Sequence, residues 1–213
     1  MRIGLHQVLP VPLADTPLSE QTCWRKETLL DTQQSYLVEA PSGTGKTTLI
    51  SLLFGTRKDY EGTIRFDDED VRSFSSEKWT QLRRETFSIV FQDLRLFPQL
   101  TALENIRIKN ELTNTLSNEE ILAMAEALGI THRLNQVCGK MSLGQQQRVA
   151  IIRALAQPFQ FLLLDEPFSH LDEENIRKAC AMINAACKKN NAGLLLTSLA
   201  PDEHFSFDGK III

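Results

Sequence analysis

A chain of 213 residues, 42% hydrophobic and 23% charged, is long enough to bury a core without disulfide or metal staples, and its composition excludes disordered, collagenous and low-complexity classes. Its 23 basic and 27 acidic residues leave a formal charge of -4, which argues against a protein held to nucleic acid or anionic lipid mainly by electrostatics. Cys23, Cys138, Cys180 and Cys187 show no C-x-x-C spacing, so free thiols in a reducing cytoplasm are expected.

The opening MRIGLHQVLPVPL has a single Arg and an apolar stretch broken by His6, Gln7, Pro10 and Pro12, which does not fit a signal peptide. No apolar run approaches the roughly 18 residues of a membrane helix. Short extended pieces come first, including 35–39, followed by a glycine-containing turn and a helix over 46–54 stopped by Gly55. Strands are predicted at 63–66 and 87–91, with a short helix over 77–84 between them. Thr101 with Glu104, and Ser117 with Glu120, are capping-box pairs, each opening a helical stretch. The second helix covers 118–128 before Gly129, and another covers 143–157 before Pro158. The continuous apolar run 161–164 suits a strand buried on both faces. A helix over 173–189, with Lys188 and Lys189 complementing its C-terminal dipole, leads to a buried strand at 193–197. A turn at Asp208-Gly209 precedes a last strand.

Ala40-Pro-Ser-Gly-Thr-Gly-Lys-Thr-Thr48 lies between a predicted strand and a predicted helix, the setting of a phosphate-binding P-loop. In it Gly43 and Gly45 let backbone N–H groups face phosphate oxygens, Lys46 reaches the terminal phosphates, and the Thr47 hydroxyl can ligate Mg2+. Ala40, Pro41, Ser42, Thr44 and Thr48 complete the nucleotide-binding segment. Ala40 stands where the motif begins with glycine, and a need for positive φ there would cost stability. Phe161-Leu-Leu-Leu-Asp-Glu-Pro167 puts Asp165 at a strand end to hold the Mg2+ shell and Glu166 beside it to take a proton from water.

Met141-Ser-Leu-Gly-Gln-Gln-Gln-Arg-Val-Ala150 resembles the signature sequence of ATP-binding cassette (ABC) ATPases. Ser142 and the Gly144 N–H sit at a helix N-terminus, a natural anion site. In the family this site binds the γ-phosphate of ATP held by the other subunit, and Ser142, Gly144 and Gln145 are the matching residues. Leu143 replaces the first glycine. Phe91-Gln-Asp93 resembles the Q-loop, which implies that Gln92 reaches Mg2+ and the attacking water while the following loop meets the transporter. Ser169-His-Leu-Asp172 resembles the D-loop, with Asp172 acting across a dimer interface. The resemblance spans the whole chain as one domain, 1–213. It implies an α/β P-loop NTPase core with an antiparallel β-subdomain and a helical subdomain inserted at about 93–157. Within the family, the stretch from Phe91 to Ile106 is most similar to the lipoprotein-release, macrolide-export and cell-division branch.

Beyond Ala40 and Leu143, two further features depart from the family. Ser198 stands where a switch histidine contacts the γ-phosphate, and His204 follows six residues later. His204, like His6 and His132, is expected to be a surface or packing residue, whereas His170 lies inside the D-loop. The adenine-stacking aromatic is also missing from 13–21; Trp24 is either a substitute or a core residue, and Tyr36 is expected in the core. The resemblance implies an ATP-binding and ATP-hydrolysing subunit that uses Mg2+, forms a homodimer around ATP and powers integral membrane subunits on separate chains. Its implied place is the cytoplasmic face of the membrane, with no nucleic-acid partner. The alternatives are a slow or non-hydrolysing ATP-dependent switch subunit, favoured by Ala40, Leu143 and Ser198, or a soluble ABC ATPase.

Overall fold

The computed structural model describes residues 1–19, 21–41, 43–199 and 202–213. In chain order its main elements are β1 (Arg2–Pro10), β2 (Glu27–Asp31), β3 (Tyr36–Glu39), α1 (Lys46–Leu53), β4 (Tyr60–Phe66), β5 (Glu69–Asp70), α2 (Ser76–Glu85) and β6 (Phe87–Val90). Three helices follow, α3 (Ala102–Asn110), α4 (Asn118–Ala127) and α5 (Leu143–Leu155). The chain ends with β7 (Phe161–Asp165), α6 (Glu173–Asn190), β8 (Gly193–Ser198) and β9 (Gly209–Ile211).

The strands form two sheets. One is antiparallel, in the order β2-β1-β4-β5, and the other runs β6-β7-β8-β3-β9 with every pairing parallel. The period of two in a strand explains how the parallel sheet serves two cores. Phe161 and Leu163 of β7, Tyr36 and Val38 of β3, and Leu195 of β8 face one cluster, which the antiparallel sheet, α1 and α2 complete. Leu162, Leu164, Leu37, Leu194 and Leu196 face the other, formed with α3, α4, α5 and α6. All five residues of β7 are buried, as a strand covered on both faces requires.

Both predicted capping boxes are formed, at Thr101 with Glu104 and at Ser117 with Glu120. Other boundaries move. The helix expected to reach 157 ends at Leu155, because the buried Gln157 side chain instead donates to the carbonyls of Arg83 (3.0 Å) and Phe87 (2.9 Å). The strand expected from 63 starts at Tyr60, and the two-residue β5 was not expected at all, since Glu-Asp carries no apolar alternation.

Leu163 is fully buried at the centre of the parallel sheet, in register with Ile89 on β6 and Leu195 on β8. Leu163→Ala is expected to lower stability by about 2–5 kcal/mol, as a core cavity does. Urea denaturation should show a lower midpoint at unchanged slope.

Candidate active site

β3 enters the phosphate loop and α1 leaves it, so the loop sits at the C-terminal edge of the parallel sheet. Gly45 caps α1 at φ +112°, a conformation that disfavours any side chain. A Cβ there would lie 2.9 Å from Leu13 Cδ1 and 3.4 Å from Trp24 Cζ2, so the loop is also packed from behind. Ala40 is buried and is not among the positive-φ residues, so the strain that a positive φ there would bring does not arise. Its N–H donates to the Ser198 carbonyl at 3.3 Å, tying the loop to the end of β8. The Thr44 hydroxyl donates to the Pro41 carbonyl. Ser42 lies outside the described residues.

Lys46 is 4% exposed. Its Nζ donates to the carbonyls of Ala40 (2.5 Å) and Pro41 (2.9 Å) and pairs with Glu166 Oε1 at 3.2 Å. Glu166 follows β7 with φ +48°, a left-handed conformation that costs a glutamate stability and persists only where the surroundings enforce it. The surroundings are visible: its N–H donates to Thr197 Oγ1 (3.1 Å), and its carbonyl accepts from Gln147 Nε2 (3.4 Å). Gln92 joins the group, donating from Nε2 to Glu166 Oε2 (3.4 Å) and accepting at Oε1 from the Thr47 hydroxyl (3.3 Å).

Asp165 is 1% exposed and accepts from Thr197 Oγ1 at 2.9 Å. Burial raises its carboxyl pKa above the ordinary aspartate value, while hydrogen bonds from Thr47 and Thr197 pull the other way. A buried carboxylate beside a threonine hydroxyl and an amide oxygen is a hard-oxygen donor set, the kind that suits Mg2+ shared with phosphate and water. The loop past Gln92 is braced from α5: Arg153 donates to the carbonyls of Leu94 (2.5 Å) and Arg95 (2.6 Å). Burial lowers the Arg153 pKa to about 10.

A cleft of about 280 Å3 over the loop brings together Gly43, Gly45, Lys46, Thr47, Thr48, Gln92 and Glu166 with Pro12 and Leu13. Ser142, Gly144, Gln145 and Asp172 do not line it. Ser142 is instead the N-cap of α5, its hydroxyl accepting from the Gln145 N–H while the Gln145 side chain accepts from the Ser142 N–H. Asp172 caps α6 by accepting from the Asn175 N–H at 2.9 Å. Gly144 is held against the D-loop, since a Cβ on it would come within 2.7 Å of the His170 carbonyl oxygen.

Thr197 and Gln147 contact the candidate site and are not singled out by any motif. Gln147 is buried and links three pieces: Nε2 donates to the Glu166 carbonyl and Ser169 Oγ, and Oε1 accepts from the His170 N–H. Its place was legible, because 147, 150, 151 and 154 share the buried stripe of α5. Trp24, 1% exposed behind Gly45, is a core residue and presents no face to a base; Tyr36 is likewise core. His204 is a partly exposed residue, in keeping with the surface or packing role expected of it. It lines a cavity of about 440 Å3 together with Glu166 and Ser198, and its Nε2 lies 3.1 Å from Glu173 Oε1. No described helix is long and apolar enough to cross a membrane.

A strand, a glycine loop with a buried lysine, and two carboxylates closing the next strand but one of a parallel sheet define a P-loop nucleotide-binding fold. The chain belongs to the ABC transporter family, whose pattern matches residues 30–169. It is 33% identical over 177 residues to the lipoprotein-releasing system ATP-binding protein LolD of Granulibacter bethesdensis, covering 82% of this chain and 77% of that one. It is 35% identical over 187 residues to the glucose import ATP-binding protein GlcV of Saccharolobus solfataricus, covering 85% of this chain and 52% of that protein. Several other relatives are likewise matched over about half their length or less. Among solved structures, the dimeric post-hydrolysis state of the ATP-binding cassette MJ0796 with ADP and Pi superimposes with a TM-score of 0.77 at 26% identity, covering 93% of this chain and 88% of that one. The ABC cassette fold is therefore as expected from the signature.

Proposed function

We propose that this chain is the ATP-binding and ATP-hydrolysing subunit of an ABC transporter, working as a homodimer at the cytoplasmic face of a membrane against integral membrane subunits on separate chains. The observation that carries this reading is the chain of contacts from Lys46 to Glu166 to Gln92 to Thr47 at the mouth of the phosphate loop. The relatives include both lipoprotein-release and sugar-import proteins.

In this reading the N–H groups around Gly43 and Gly45 hold phosphate oxygens, and Lys46 exchanges its two loop carbonyls for the terminal phosphates. Thr47, Asp165 and Gln92 would hold Mg2+, which when bound neutralises phosphate charge. Glu166 takes the proton of a water that Gln92 orients. The water oxygen forms the new bond to the γ-phosphorus as the bridging bond breaks, leaving its electron pair on ADP. Ser142, Gly144 and Gln145 of one copy, at the N-terminus of α5, and Asp172 meet the nucleotide of the other copy. Closure is then favoured by ATP because each site is complete only in the dimer. Magnesium-dependent ATP turnover by the purified chain, and its copurification with an integral membrane protein, test the two halves of the reading. A cassette that hydrolyses ATP but retains no membrane partner would support the soluble alternative instead.

Base selectivity follows from Pro12 and Leu13, the aliphatic residues over the loop, and from the burial of Trp24. Without an aromatic platform, whose contacts contribute about 1 kcal/mol, ATP and GTP are expected to bind within about tenfold of each other. Competition titration measures the ratio. A strong ATP preference that disappears in Trp24→Ala would overturn the core assignment of Trp24.

A further inference from the structure

Beside the C-terminal end of α1 is a second, small cavity of about 100 Å3. Its apolar lining is Leu52, Val71 and Trp79, all buried, and its polar lining is cationic: Arg57, Lys58 and Arg72. The cations are not all neutralised. Arg57 pairs with Asp59 at 2.8 Å, but the Arg72 guanidinium donates to the Tyr60 carbonyl (2.9 Å) and stacks over its ring, 4.5 Å from the centroid. Asp70 is spent on the Arg72 backbone N–H (2.9 Å), and Lys58 has no hydrogen-bond or ion-pair partner among the described residues.

Tyr60 adds an independent feature. It lines the same cavity and is 8% exposed, and its hydroxyl is buried with no hydrogen-bond partner among the described residues. A buried hydroxyl left unpaired is costly, and a group bound in the cavity that Tyr60 lines would supply it with a partner. Arg57 is already held in place, with Nη1 donating to Thr48 Oγ1 at 3.3 Å and Nε on Asp59. Guanidinium groups fixed by other contacts lose little freedom when they grip a planar or tetrahedral oxyanion. Several water-sized volumes fit in the space, which is enough for one such group.

We propose that this cavity binds a small oxyanion, a phosphate or carboxylate group, through Arg57, Lys58 and Arg72, with Tyr60 supplying its unpaired hydroxyl. The cavity shares no lining residue with the cleft over the phosphate loop, to which Arg57 is joined through Thr48, and the proposal stands whether or not the chain hydrolyses ATP. The chain holds only two tryptophans, Trp24 and Trp79, so Trp24→Phe leaves Trp79 as the sole indole reporter, in the cavity wall. Adding Lys46→Ala removes the competing phosphate site. Titration of this double variant with inorganic phosphate, against sodium chloride at equal ionic strength, should give a saturable change in Trp79 emission. Adding Arg72→Gln should weaken it by about tenfold and Tyr60→Phe by several-fold, the range of a hydrogen bond to a charged group. Acetate tested in parallel distinguishes the two sources, since tighter saturation by acetate assigns a carboxylate ligand. A linear response equal to that of chloride with both anions, or saturation unchanged by Arg72→Gln, would overturn the proposal. If Trp24→Phe does not fold, the phosphate-induced rise in Tm of Lys46→Ala, compared with Lys46→Ala plus Arg72→Gln, decides the matter: loss of the rise with Arg72 supports the site, and equal rises refute it.

Discussion

Glu166→Gln is expected to bind ATP, to accumulate as a closed dimer, and to turn over ATP about a hundredfold more slowly or worse. The amide keeps the shape of the side chain but cannot take the proton from water, a contribution commonly worth about two orders of magnitude or more. The neighbourhood tolerates the exchange on one side: the amide oxygen can still accept from Lys46, which two loop carbonyls also hold. On the other side the new NH2 would face Gln92 Nε2, now a donor 3.4 Å from Glu166 Oε2, so Gln92 must turn or lose that contact. Part of the loss is therefore water positioning. Lys46→Ala should fail at a different step, with nucleotide affinity itself lost. Light scattering with ATP, with and without magnesium, and release of inorganic phosphate separate the two variants. A Gln variant that never dimerises under either condition would remove the main support for ATP-driven closure.

Most residues of the candidate site lie in contiguous strings and were legible in the sequence for that reason. The phosphate loop, the Asp165-Glu166 pair and the signature each pack several residues into one motif whose spacing carries its chemistry. What escaped was contributed from elsewhere. Thr197 meets Asp165 and the Glu166 N–H only because β8 runs parallel to β7 in register, Asp165 opposite Thr197, and no local pattern encodes that pairing. Gln147 sat in a run of three glutamines, and only helical phase distinguishes the one turned inward. The left-handed backbone at Glu166 is likewise a tertiary outcome, imposed on a residue with no intrinsic preference for it. The two cores, by contrast, were implicit in the short apolar strands, since a run such as Phe161-Leu-Leu-Leu164 can be satisfied only by burial on both faces.

Ser198 gives the sharpest test of the chemistry. It closes β8, pairs in register with Glu39, and through its carbonyl receives the Ala40 N–H at 3.3 Å, so its backbone anchors the phosphate loop whatever its side chain. Its side chain lines the cavity of about 440 Å3 shared with Glu166 and His204, which gives room for an imidazole without disturbing that anchor. A serine is too short to extend a donor as far into that space. Slow hydrolysis of bound MgATP by the isolated chain is therefore expected, with both sites of a homodimer carrying the same deficit. Ser198→His is expected to raise turnover by about ten- to a thousandfold, the range of hydrogen bonds made to charge developing in a transition state. His204→Ala serves as the control: its ring is engaged with Glu173, so turnover should stay within about twofold. Rapid hydrolysis by the unmodified chain, several turnovers per second without a partner, together with no gain in Ser198→His, would show that position 198 does not limit the reaction. Such a result combined with a large loss in His204→Ala would place the missing imidazole at His204 instead.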